Sequence, residues 1–117
     1  MNELSLAHSV HNALMDLCRQ TGLTKIHRVI LKIGNMKNVN PDLIISIFSM
    51  LSKNSPIEGA NLLILSIPVT LSCMDCKKKS YREDNLLKCP HCGSLNVKLL
   101  TGLEFAVESV EVEKNLE

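Results

Sequence analysis

Aromatic side chains are nearly absent from this chain: it has no tryptophan, one tyrosine and two phenylalanines in 117 residues. That excludes a core of stacked rings and a broad aromatic platform for nucleobases. Long apolar runs are missing too. LIISIF and LLILSIPV fall far short of the roughly 20 residues that span a bilayer, and the N-terminus shows no basic segment followed by an apolar one. A soluble, cytoplasmic protein without a membrane partner is therefore expected. Charge of one sign is also lacking, since 13 Lys and Arg stand against 12 Asp and Glu for a net charge of +1. No field of that size steers a whole molecule toward nucleic acid. Nucleophile-elbow, phosphate-loop and zinc-protease signatures do not occur, nor do the paired motifs of a zinc deaminase, so the chain is not expected to be an enzyme.

What is present is aliphatic. Hydrophobic residues make up 45% of the chain, mostly Leu, Ile and Val, which suits a folded globule rather than a disordered segment. The length fits either one ordinary domain or a small domain carrying an appendage that needs outside help to fold. The pattern along the chain favours the second.

Leu6, Val10, Leu14 and Leu17 recur at helical spacing and Gly22 follows, predicting a first helix over about 3–20. IHRVILKIG alternates and reads as a strand ending at Gly34. After the polar loop NMKNVN, the run Asn40, Pro41, Asp42 supplies a capping side chain, a proline at the first helical position and an acid near the positive end of the dipole. A second helix is expected from there to about Lys53. NLLILSI and LEFAVESVEVE read as two more strands, and the charged tail VEKNLE as disordered. The predicted fold is α+β, a three-stranded sheet with two helices. Residues 1–69 and 101–117 would form this body, and residues 70–100 an inserted metal domain.

The insert contains CMDCKKKSYREDNLLKCPHC, two Cys-x-x-Cys pairs in a chain with five cysteines. Each such turn aims two sulfurs at one point, and Cys73, Cys76, Cys89 and Cys92 together meet the tetrahedral demand of zinc. An odd cysteine count with four in ligand spacing suits a reducing compartment better than a disulfide framework. A four-sulfur site has no open position for water or substrate, so zinc here reads as structural. The segment has few apolar residues, and the roughly 10–16 kcal/mol that structural zinc contributes would fold it. Iron, or redox-active thiols, are the alternative readings. With zinc bound to four thiolates the overall charge becomes about −1.

Lys77, Lys78, Lys79, Arg82 and Lys88 crowd this segment, either as a phosphate-binding patch or as a solvated face balancing the site's negative charge. His91 reads as an exposed knuckle residue and Cys18 as a buried small hydrophobe. His8 and His11 lie three apart on the first helix, a spacing able to clamp a metal but commoner for solvent-facing side chains. A zinc-ribbon module that binds nucleic acid through the lysine-rich insert is the rival functional reading, weakened by near-neutral charge and by Tyr81 being the single aromatic there.

The start MNELSLAHS, the segment LKIGNMKNVNP ahead of a helix, the two Cys-x-x-Cys pairs with CPHCGS, and the ending TGLEFAVESVEVE together resemble the HypA/HybF hydrogenase-maturation factors over nearly the whole chain. The resemblance implies a nickel metallochaperone in which an α/β nickel-binding domain carries an inserted zinc domain. It implies delivery of nickel to the large subunit of a [NiFe] hydrogenase, in some organisms to urease, together with a GTPase partner. The chain itself would be a monomer or homodimer. Zinc then falls to Cys73, Cys76, Cys89 and Cys92. The family begins M-H-E, with nickel taken by the terminal amine, by the backbone near residues two and three, and by the imidazole at position two. Here Met1 and Glu3 match while Asn2 stands in the place of that histidine. A carboxamide is a poor nickel ligand, so Met1, Asn2 and Glu3 are expected to form a weakened site in which Asn2 caps the first helix. His8 or His11 is a candidate to replace the missing donor.

Overall fold

Helix α1, Glu3–Thr21, begins where Asn2 stays extended and its side chain accepts the Ser5 amide at 2.9 Å. It stops at Gly22, whose φ of 75° places it in the left-handed region while its N–H returns to the Cys18 carbonyl at 2.8 Å. Between these caps Leu6, Ala7, Val10, Leu14 and Cys18 are buried at helical spacing. Helix α2, Pro41–Leu51, starts in the same way, with the Asn40 side chain accepting the Leu43 amide at 3.2 Å, and buries Ile44 and Phe48. The two helices pack on each other. Helix α2 ends at Leu51, two residues short of the expected Lys53, with Ser52 as its cap: the Ser52 N–H and hydroxyl both donate to the Phe48 carbonyl, at 3.0 and 2.7 Å, and a turn follows.

The computed structural model describes residues 2–113, in which six strands form two sheets. Strands β1 (Ile26–Gly34), β2 (Asn61–Ile67) and β6 (Phe105–Val112) make the expected three-stranded sheet, in the order β2-β1-β6. A second three-stranded sheet lies in the segment expected to be the metal insert. It is built by β3 (Val69–Cys73), β4 (Lys79–Arg82) and β5 (Val97–Thr101), with β3 antiparallel to both neighbours. The loop after β1 contains a single 3-10 turn at Asn35–Lys37. Of the tail expected to be disordered, Val112 instead closes the last strand and the Glu113 N–H donates to the Lys25 carbonyl at 3.3 Å, while Lys114 onward lies outside the described residues; among the described helices none is long and apolar enough to cross a membrane.

Two compact units can be distinguished. Met1–Leu31, Val39–Ile64 and Val107–Glu117 form the first, and Lys32–Asn38 with Leu65–Ala106 the second. The first has an aliphatic core that includes Leu6, Leu14, Ile26, Leu31, Ile44, Phe48 and Ile57. The second has a thinner one, with Ile33, Val69, Leu71, Cys73 and Cys89 buried. Within it, residues 34–36 lie against 102–104: the Gly34 N–H donates to the Glu104 carbonyl at 2.7 Å and the Met36 N–H to the Gly102 carbonyl at 2.9 Å. A Cβ on Gly34 would sit 2.0 Å from the Gly102 carbonyl oxygen, a backbone atom that cannot step aside alone. Gly34→Ala is therefore expected to destabilise the fold by about 3 kcal/mol or more. Urea denaturation checks this, and an unchanged midpoint would show that the two segments can part freely.

Candidate metal centre

The Cys73 and Cys89 turns repeat one design. In the first, Lys77 has φ 64° and its N–H returns to the Cys73 carbonyl at 3.1 Å; in the second, Gly93 has φ 75° and its N–H returns to the Cys89 carbonyl at 2.9 Å. Each loop thus turns back through a left-handed residue placed just after its second cysteine, which glycine adopts freely and lysine only against strain. Strand β3 delivers Cys73 as the last buried residue of the alternating pattern Val69, Leu71, Cys73.

The four sulfurs converge, all within 4.8 Å of one another. Cys73 and Cys92 bring their Sγ atoms to 3.6 Å, and Cys76 and Cys89 to 3.7 Å. A tetrahedral zinc ion with sulfurs at about 2.3 Å requires sulfur–sulfur edges of about 3.8 Å, so the donor set fits in both chemistry and spacing. Among the described residues this is the one place where three or more metal-capable side chains meet.

Backbone amides tune these thiols. The Cys76 N–H donates to Cys73 Sγ at 3.4 Å and holds the Cys73 thiol below its ordinary value. Burial pushes Cys89 upward, but N–H groups of Cys92 and His91 outweigh it and bring that thiol down to about 7. At Cys92 the Ser94 N–H acts downward, yet burial and the neighbouring sulfurs prevail and push it up to about 12. A divalent cation held by these sulfurs would supply the charge that lets all four ionise together.

A polar clasp joins the two turns on their outer side. Asp75, inside the first Cys-x-x-Cys, accepts the Ser94 hydroxyl on one oxygen and the Asn96 side-chain amide at 3.3 Å on the other. These bonds, Ser94 first, hold the Asp75 carboxyl below its usual range. Nothing in the sequence pattern marked these three residues. Arg82, read as part of a basic patch, is occupied: it forks onto Asp84 at 2.6 and 2.8 Å and donates to the Lys88 carbonyl at 2.8 Å. That fork, followed by the Leu86 N–H, brings Asp84 down to about 2. Lys77, Lys78, Lys79 and Lys88 are exposed, as is His91.

The candidate nickel residues lie at the opposite end of the sequence. Met1 is outside the described residues. Asn2 is the helix cap, its side-chain oxygen spent on the Ser5 amide. Glu3 reaches across to accept the Asn40 N–H at 2.9 Å, which ties the starts of α1 and α2 together and holds the Glu3 carboxyl below its usual range. This contact spans 37 residues and has no local signal. His8 is exposed, whereas His11 is half-buried with its Nε2 enclosed and unpartnered. Cys18 is buried in α1.

Comparison with known proteins adds the context. The model of a family described as "Hydrogenase/urease nickel incorporation, metallochaperone, hypA" matches residues 1–112. The hydrogenase maturation factor HypA of Aquifex aeolicus (strain VF5) is 30% identical over 113 residues, covering 97% of this chain and 98% of its own. That of Geotalea uraniireducens (strain Rf4) is 34% identical over 114 residues, covering 97% and 100%. The solution structure of the Ni metallochaperone HypA from Helicobacter pylori superposes with a TM-score of 0.66 at 28% identity, over 96% of this chain and 97% of that one.

Proposed function

Because this chain belongs to the HypA family of hydrogenase and urease nickel-incorporation metallochaperones, we propose that it carries nickel(II) at its first residues and delivers it to a [NiFe]-hydrogenase large subunit, with a GTPase as partner. Cys73, Cys76, Cys89 and Cys92 hold a structural zinc ion. Residues 70–100 serve as the zinc insert, and residues 1–69 with 101–117 as the nickel-binding body. No reaction is catalysed. Urease is the second class of acceptor, by the family's description alone.

The observation that carries this reading is the closure of the sulfur site. Four thiolates at tetrahedral spacing leave no vacancy for transient cargo, so cargo needs another location. We place it at the start of α1, where first-turn amides find no helical carbonyl, that of Ser5 being taken by the Asn2 side chain, with the terminal amine as the donor that the likeness to the family implies. Leu4 and Leu43, 52% and 45% exposed, lie in the first turns of the two helices that the bond between Glu3 and Asn40 ties together. They give the GTPase an apolar foothold beside the nickel, away from the cysteines in sequence.

Calorimetric titration of the tag-free, zinc-replete chain with nickel chloride tests the proposal. One nickel ion per chain is expected without displacement of zinc, and acetylation of the terminal amine should weaken binding by at least about tenfold. Stoichiometric release of zinc by nickel, with acetylation making no difference, would place the cargo on the cysteines instead.

A further inference from the structure

We propose that Asp75 is a positioning residue whose hydrogen bonds to Ser94 and Asn96 latch the two Cys-x-x-Cys turns together and set how slowly the cysteines release their metal. The inference rests on the reading of the four cysteines as a metal site and goes beyond it, because it concerns a side chain that contributes no ligand.

The latch is built from both directions. From the first turn, Asp75 offers both carboxylate oxygens to the second, one to the Ser94 hydroxyl and one to the Asn96 amide at 3.3 Å. From the second turn, the Asn96 carbonyl accepts the Met74 N–H at 2.9 Å. Ser94 and Asn96 are themselves set, since the Ser94 hydroxyl oxygen accepts the Asn96 N–H at 3.0 Å and the Ser94 carbonyl accepts the Cys89 N–H at 2.9 Å. A path of hydrogen bonds thus runs from residues 74 and 75 to the backbone of a cysteine in the other turn. No sulfur takes part in it.

A four-sulfur site gives up its ion when one turn swings away from the other, because two bonds then remain and a competing ligand can enter. The latch opposes that motion directly. Cys73 and Cys89 are buried but Cys92 is solvent-exposed, so packing seals only part of the site, and the clasp adds a side-chain restraint to the ladder that sets Cys73 opposite Val97. The carboxylate's charge has a separate effect on the cation, and the two are separable: asparagine at position 75 keeps an acceptor for Ser94 and can donate to Asn96 once that amide turns over, yet it carries no charge.

The test is the rate at which zinc passes to an excess of a chromophoric chelator at neutral pH, for the full-length wild-type chain and the variants D75A, D75N and N96A. Each is first assayed for zinc content and, after exchange, for the absorption bands of tetrahedral cobalt(II) thiolate. One ion per chain with an unchanged cobalt spectrum in every variant is expected, since no ligand is altered; wild-type protein without either would mean that the metal-site reading itself had failed. D75A is expected to release zinc about tenfold faster or more, the scale on which outer partners of metal ligands act. N96A should fall between it and the wild type, and D75N should stay near the wild-type rate. Release from D75A at the wild-type rate overturns the proposal. So does D75N releasing as fast as D75A, which would assign the effect to charge. Should D75A fail to hold metal, N96A decides alone, and release at the wild-type rate again overturns it.

Discussion

Stripping the metal from the four cysteines is expected to unfold β3, β4 and β5 while α1 and α2 stay folded. The asymmetry comes from what each unit buries. The two-helix unit closes over Leu6, Val10, Leu14, Ile26, Ile44 and Phe48 and owes nothing to the sulfurs. The cysteine unit leaves Leu86, Leu87, Leu95, Leu100 and Leu103 more than two-fifths exposed, and two of its buried positions, Cys73 and Cys89, are themselves ligands. Structural zinc contributes about 10–16 kcal/mol, comparable with the whole stability of an ordinary domain at about 5–15 kcal/mol. A small sheet with two hydrophobic anchors on β3, Val69 and Leu71, cannot replace that. Amide spectra of the reduced, chelated chain should therefore lose dispersion over residues 69–101 and keep it over residues 3–21 and 41–51. Retained dispersion throughout would sink the idea, as would a protein isolated with two disulfides and no metal.

The same contrast explains how much of the molecule could be read in advance. Local chemistry was legible: Asn2 and Asn40 are caps because their side chains answer amides three residues on, and the four cysteines announce themselves by spacing. The first sheet was legible because β1 and β6 alternate and β2 is a short apolar run bounded by Gly59 and Pro68. Strand β4, KSYR, was not, since it has a single aromatic and no apolar alternation; it exists by pairing with β3, as in Thr70 opposite Tyr81 and Ser72 opposite Lys79. Strand β3 does alternate, at Val69, Leu71 and Cys73, but it is short and ends on the first cysteine, so the sequence reads it as part of the metal insert. Glu3 with Asn40 and Asp75 with Asn96 are contacts between segments 37 and 21 residues apart. Such pairs carry no periodicity, and only the folded chain brings them together.

Restoring the family histidine by Asn2→His is expected to tighten nickel binding by at least about tenfold, because losing even an outer partner of a metal ligand commonly costs that much and an imidazole nitrogen is a direct donor. The folded chain adds a counterweight. The Asn2 side chain is engaged with the Ser5 amide at 2.9 Å, and the Asn2 carbonyl accepts the Leu6 N–H at 3.0 Å. Histidine is a poorer cap than asparagine, so the two-helix unit should lose about 1 kcal/mol, while zinc content stays unchanged because Cys73 lies 71 residues further along the chain. Loss of the cap alone could also loosen the first turn and ease chelation by its amides. Asn2→Ala separates the two causes, since it removes the cap and adds no donor. Calorimetric titration of the three tag-free proteins, all with unblocked Met1, should place Asn2→Ala with the parent and Asn2→His apart. Equal affinity in all three would mean that position two is not a nickel ligand here and would turn attention to His11, whose enclosed Nε2 has no partner. A gain shared by the alanine and histidine variants would assign the effect to helix fraying rather than to the imidazole.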